Sequence, residues 1–198
     1  MAGPQRYLED QGIAIAQGRV VGTSCINKFG ATGAAVTINT ETTIWDGSNT
    51  TALYPYPTAG VAAVTANTTD DGEVVVVEGL DADYNEAQEI VTLNGQTAVN
   101  TTTSFLRVNR AYVLTAGSGG TAAGNIYVGV GTVTTGVPAT IYAQITLGEN
   151  QTLMGLWTVP AGYTGYFDHF NVATGTTNAN QYVSIRAIQR NFGGVFRT

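Results

Sequence analysis

Glu73-Val74-Val75-Val76-Val77-Glu78-Gly79-Leu80-Asp81-Ala82-Asp83-Tyr84-Asn85-Glu86, followed closely by Ile90-Val91-Thr92-Leu93-Asn94-Gly95, is the stretch that decides the fold. Val74 to Val77 is a β-branched run of strand length bounded by Gly72 and Gly79. Asp81 to Asn85 is polar and turn-rich, and the chain re-extends through Glu89, Ile90, Val91, Thr92 and Leu93. Asn94-Gly95 tolerates positive φ at both central positions of a type I′ turn, a strong local signal for a hairpin. It predicts a strand leaving from Gln96 and paired back across Val91 to Val99. A further strand runs from Ser104 to Thr115, where Phe105, Val108, Tyr112 and Leu114 intermix with Arg107 and Arg110. The whole stretch, Glu73 to Val113, reads as an antiparallel meander.

Outward from this centre the same pattern continues. Short strands are predicted at Val61–Ala66, Asn125–Val130, Ala139–Thr146, Thr152–Val159, Gly165–Val172 and Gln181–Gln189, with turns at Pro160-Ala161-Gly162 and between other pairs. No long amphipathic helix interrupts them. The expected fold class is all-β, an antiparallel β-sandwich of jelly-roll type with an extended N-terminal arm. Tyr54-Pro55-Tyr56-Pro57 excludes a central strand, because proline lacks the ladder donor. It sets a boundary between residues 1–52, an arm and docking segment, and residues 53–198, the sandwich domain. Within the arm, Ile13, Ile15 and Val20-Val21 alternate around glycines and read as one or two short strands, followed by Ala34 to Ile38 and an Asp46-Gly47 turn.

Composition narrows the function. Hydrophobic residues make up 43% of the 198, but charged residues only 11%, less than half the usual share of about 25%. Lys28 is the only lysine. A surface so poor in charge is expected to be covered by neighbours in an assembly. The net charge of −6 and the scatter of seven arginines from Arg6 to Arg197 argue against nucleic acid, which needs clustered cations. No apolar run reaches the length of about 20 residues that spans a bilayer. Cys25 is the only cysteine, so no intrachain disulfide forms. The N-terminal residues lack a basic and apolar leader pattern, so the expectation is synthesis in a bacterial cytoplasm without export.

Individual residues offer little chemistry. Asp81-x-Asp83-x-Asn85 has the opening spacing of a calcium loop, but Glu86 and Thr92 stand where that loop needs Gly and Glu. It reads as a hairpin loop with Asx turns. His169, beside Asp168, has no Gly-x-Ser-x-Gly nucleophile to serve. One His and one Cys cannot supply four zinc ligands. Glu73, Glu78, Glu86 and Glu89 are numerous enough to pair as glycosidase carboxylates, yet on hairpin strands they more simply keep an exposed face polar. Gly117 to Gly124 lacks the Lys-Ser/Thr of a phosphate loop. Trp45, Tyr54 and Tyr56 suit either a sugar-stacking platform or, by preference, a protein interface. Asn49, Asn67, Asn100 and Asn150 are sequons expected by chance in a Thr-rich chain. The expectation is therefore no catalytic residue, no cofactor and no metal.

Taken as a set, several motifs resemble a family of virion structural proteins of tailed bacteriophages, many from marine and cyanobacterial hosts. They are Ile26-Asn27-Lys28-Phe29-Gly30, Ile44-Trp45-Asp46-Gly47, Val77 to Glu86, Ser104 to Arg110, Gln151-Thr152-Leu153-Met154, Thr158 to Gly162 and Gly193-Gly194-Val195-Phe196-Arg197. The resemblance runs through nearly the whole chain. It implies a non-enzymatic virion component, most simply a capsid decoration or cement protein that binds the major capsid protein or other virion proteins. A tail, baseplate or fibre component and a glycan-binding adhesion module stand as alternatives. A homo-oligomer, with a trimer as the first choice, completes the expectation.

Overall fold

The valine run forms β2 (Asp71–Leu80), which lies between β3 (Glu86–Asn94) and β5 (Arg107–Thr115) in a three-stranded antiparallel sheet. The computed structural model describes residues 11–32, 40–45, 54–58, 60–66, 71–117, 119–175, 184–191 and 196–197. Its chain parts into two compact units, Met1–Thr164 and Gly165–Thr198. The first unit holds a second sheet built from β1 (Gly60–Ala66), β4 (Val99–Phe105), β6 (Ile126–Thr134) and β7 (Val137–Ile145). Its strand order is β4-β1-β6-β7, antiparallel throughout.

The two sheets share one core. Val64, Ile126, Val128 and Ile145 of the larger sheet meet Val75, Val77, Val91, Leu93 and Val108 of the smaller one in a single buried cluster. Each such side chain contributes roughly 1.5–3 kcal/mol of transfer free energy, so burial alone holds the layers together. The protein is an all-β antiparallel sandwich. A jelly roll calls for eight strands in two sheets, and the described strands of this sandwich number seven.

The meander expected for Glu73 to Val113 is not what forms. Four of the six connections pass from one sheet to the other, and only β2–β3 and β6–β7 are hairpins. Asn94-Gly95 does reverse the chain: Gly95 has φ +52° and the Thr97 amide donates to the Asn94 carbonyl at 2.9 Å. Gln96 is not at positive φ, so the turn follows the type II′ rather than the I′ pattern. The strand beyond it begins at Val99, not Gln96, and pairs with β1 in the other sheet, so Val91 and Val99 are not partners. The two-residue hairpin lies instead at Thr135-Gly136, both at positive φ, between β6 and β7. Gly131, at φ +89°, sits where the register of that hairpin shifts, as a glycine bulge does.

Leu106 alone separates β4 from β5, so the chain changes sheets within one residue. The Leu106 amide donates to the Leu80 carbonyl at 2.7 Å. Gly79 lies directly beneath the crossing, and a Cβ there would stand 1.9 Å from the Arg107 carbonyl oxygen. Only glycine permits that approach.

One edge strand of each sheet, β4 and β5, is met by other parts of the chain. Beside β1, strand β4 bulges over Thr101–Thr103. The Thr101 hydroxyl accepts from the Ala62 amide at 2.9 Å. The Glu89 carboxylate of β3 accepts from the Thr102 and Thr103 amides at 2.8 and 2.7 Å, joining one sheet to the other. Along β5, the Val113 amide donates to the Asn150 carbonyl and the Thr152 amide to the Ala111 carbonyl, at 2.8 and 2.9 Å. The expected strand Thr152–Val159 makes no ladder; an isolated bridge joins Gln151, just before it, to Tyr112. Met154 nonetheless fills the core.

The arm also departs from expectation. Gln11–Ala16 is a short helix, α1, not a strand. Gly18, at φ +69°, ends it in a Schellman cap, with its amide on the Ile15 carbonyl and the Arg19 amide on the Ala14 carbonyl. Further on, the Ala31 amide donates to the Leu153 carbonyl and the Gly155 amide to the Ile44 carbonyl, so these parts of residues 1–52 lie on the sandwich itself. Ala34 to Ile38 and the Asp46-Gly47 turn fall outside the described residues. Among the described residues of the second unit, the strands are β8 (Gln189–Arg190) and β9 (Phe196–Arg197), which pair in a two-stranded ribbon. The expected strand Gly165–Val172 is absent, and the start of the expected strand Gln181–Gln189, residues 181–183, lies outside the described residues. Residues 165–175 and 184–188 run without a ladder partner, and alternation without a partner does not make a strand.

Three glycines test this account. Gly79→Ala is expected to lower stability by about 1–3 kcal/mol, since the clash is with backbone. Gly60→Ala, whose Cβ would meet nothing nearer than 3.6 Å, is expected to be near neutral. Gly95→Val should cost about 1–3 kcal/mol through strain at positive φ. Urea-unfolding midpoints of the three variants check the ranking.

Candidate functional site

Most of the residues singled out by sequence are used up inside the fold. In the β2–β3 loop, Asp81 Oδ1 accepts from the Asp83 and Asn85 amides, both at 2.9 Å, and Asn85 Nδ2 donates to Oδ2. The Asn85 amide chiefly holds the Asp81 carboxyl below the usual range, against the opposing effect of burial, with the Asn85 side chain and the Asp83 amide adding to it. The oxygens a calcium ion would take are turned onto the loop's own backbone. Among the described residues, no group of three or more His, Cys, Asp or Glu side chains is placed to hold a metal.

The four glutamates do not converge. Glu73 is buried and accepts from the Gly117 amide at 3.1 Å, so the glycine-rich loop meets an anion of its own chain. Glu78 lies 3.9 Å from Arg110. Glu89 clasps the β4 bulge: burial pushes its carboxyl up, but the Thr102 and Thr103 donors outweigh that and bring it below its ordinary value. Glu86 is exposed. His169 Nδ1 pairs with Asp168 Oδ2 at 3.0 Å, with both side chains exposed. Cys25 is exposed. Asn49 and Asn67 fall outside the described residues.

Trp45 and Tyr54 correct the interface reading. Both are buried in the protein's own core, 8% and 6% exposed. Trp45 meets Tyr54 edge to face at 5.2 Å, and Tyr54 meets Tyr56 in the same way. Burial raises the Tyr54 phenol, although its bond to the Val108 carbonyl acts against that. The series ends at Arg107, whose guanidinium lies 5.0 Å from the Tyr56 ring and 5.6 Å from the Tyr84 ring. Arg107 is itself buried and donates to the Pro57 carbonyl at 3.1 Å and the Leu106 carbonyl at 2.6 Å. This side chain was not singled out by sequence, because nothing local distinguishes a stacked arginine from a solvated one.

Two features then remain open to solvent. The first is a cleft of about 110 Å³ lined by Asn27, Lys28, Phe29, Arg110, Gln151 and Thr152. The Lys28 ammonium donates to the Asn109 carbonyl, and Arg110 donates to Gln151 Oε1 at 3.1 Å. Burial chiefly, and then the Arg110 charge, lower the Lys28 pKa to about 8, with Glu78 acting against them. The second is the unit Gly165–Thr198, where Tyr166 is 90% and Phe167 68% exposed, and Phe170, Val172, Ile185 and Ile188 are also exposed. Phe167 and Phe170 touch at 5.7 Å between ring centres.

Comparison of the chain with family models, with curated proteins and with solved structures returned no match.

The Lys28 environment has a pH signature. Unfolded, lysine keeps its proton to about 10.5, whereas folded Lys28 releases it near 8. Between these values the unfolded chain binds more protons, so stability rises with pH. Tyr54 and Tyr142, both raised by burial, oppose the rise only as free tyrosines begin to ionise, at about pH 10. The expected gain between pH 8 and 10 is roughly 1 kcal/mol. It should vanish in Lys28→Met when urea midpoints are followed across that window.

Proposed function

We propose that this chain is a non-enzymatic virion structural protein, a capsid decoration or cement protein that stabilises the phage head shell. The observation that carries the reading is the exposed apolar face of the second unit, on a chain with only 11% charged residues. Tyr166, Phe167 and Phe170 stand in solvent in a segment with no core of its own, and aromatic side chains are the preferred anchors of protein interfaces. Residues 165–198 also carry three arginines against Asp168, whereas residues 1–164 hold thirteen of the fourteen acids. The attachment surface is therefore assigned to this unit rather than to the N-terminal arm. The mechanism is additive burial: each copy lays this segment across neighbouring subunits and raises the temperature needed to part them. A homo-oligomer, trimeric by preference, belongs to the same reading. The glycan-binding alternative is weakened because two of the three aromatics on which it rested, Trp45 and Tyr54, are core residues, and the third, Tyr56, is packed against that core.

The test replaces Tyr166, Phe167 and Phe170 together by serine. Their exposure predicts an unchanged β-type CD spectrum and melting temperature, with loss of binding to particles stripped of their native copies. Undiminished rebinding overturns this assignment of the surface. Copy number in intact particles checks the position, because a cement protein follows the capsid lattice and a tail component occurs in few copies.

A further inference from the structure

We infer that the cleft between Asn27–Phe29 and the β5 edge is a binding site for a single carboxylate group. Lys28 and Arg110 bring two positive charges to one opening, and Asn27, Gln151 and Thr152 line it with polar groups beside the Phe29 ring. The like charges are held together by the fold. Asn27–Phe29 is placed by the Lys28 bond to the Asn109 carbonyl and by the Ala31 bond to the Leu153 carbonyl, and Arg110 is placed by β5. Glu78, 3.9 Å from Arg110, offsets one of the two charges. The cluster therefore keeps one positive charge in excess, and its two cations repel.

That balance selects the ligand. A carboxylate brings one negative charge and two acceptor oxygens, which suit a guanidinium and an ammonium side by side. A phosphate group, carrying roughly −1.5 to −2 at neutral pH, would leave surplus negative charge beside Glu78. The cleft, about 110 Å³, has room for a carboxylate headgroup. The same chemistry is available from a small free acid or from an Asp or Glu side chain of a neighbouring protein. Binding is linked to the lysine proton: a carboxylate favours charged Lys28, so it raises the pKa of about 8, and it binds more tightly where the lysine is protonated.

Because Lys28 is the only lysine, the ¹³Cε signal of lysine-labelled protein reports this site alone. The full chain is titrated with pH in acetate, in N-acetylglutamic acid α-amide and in phosphate, each against chloride at equal ionic strength. Acetate is expected to raise the Lys28 midpoint by about one pH unit, which corresponds to about tenfold tighter binding of acetate to the protonated site. Arg110→Met is expected to abolish the response. A glutamyl amide that matches acetate supports the site and points to a partner's side chain, whereas a response to acetate alone supports it and points to a small acid. The inference is overturned if chloride moves the midpoint as far as acetate does, if phosphate moves it further, or if Arg110→Met responds like the wild type. The wild-type titrations decide the matter even if that variant fails to fold.

Discussion

The single residue between β4 and β5 constrains the rest of the sandwich. With only Leu106 to make the passage, the backbone must turn from one sheet into the other at contact distance from β2. Gly79 provides the space for the Arg107 carbonyl. The Arg107 side chain then has nowhere to go but inward, where a charge costs several kcal/mol unless it is satisfied. It is satisfied by two carbonyls and two tyrosine faces, each worth roughly 0.5–2 kcal/mol when desolvated. The distant partners come from the segment before β1 and from the β2–β3 loop, so one guanidinium ties two remote parts of the chain to the crossing.

The treatment of strand edges divides structural surface from working surface. The β5 edge is covered by residues 150–158 and, beyond them, by parts of the N-terminal segment. The β4 edge is closed by Glu89. Strand β7 carries Pro138, which has no amide to offer a neighbour. The first unit buries a core between its sheets, although Val21, Phe29, Leu147 and Tyr163 are exposed on its arm and loops. In the second unit none of the described residues is buried, and that difference is why attachment is proposed there.

How far the sequence could be read follows from the range of each interaction. Val74–Val77 and the Asp81–Asn85 loop were legible because strand propensity and Asx turns act over a few residues. Asn94-Gly95 was legible as a turn but not as to its partner, since turn chemistry reverses a chain without choosing the sheet it enters. Thr135-Gly136 gave no warning, because threonine at positive φ is imposed by the pairing of β6 and β7 rather than preferred locally. Ile13 and Ile15 alternate as a strand would, yet the segment is a short helix that ends at the Gly18 cap, a departure that alternation alone could not show. The cleft was invisible altogether: Lys28 and Asn109 are 81 residues apart, and only the folded chain brings them together.

The clasp of Glu89 on β4 also makes that edge conditional. Two backbone amides that a neighbouring strand would otherwise seek are held by one carboxylate, which holds them as an anion. Above the ordinary carboxylate range the clasp is at full strength, and it is lost as pH falls through the depressed folded value. In acid the protonated carboxyl keeps one acceptor oxygen, so the hold on Thr102 and Thr103 loosens while the sandwich core is untouched. The rim of the larger sheet is thus guarded most firmly where the carboxylate is charged.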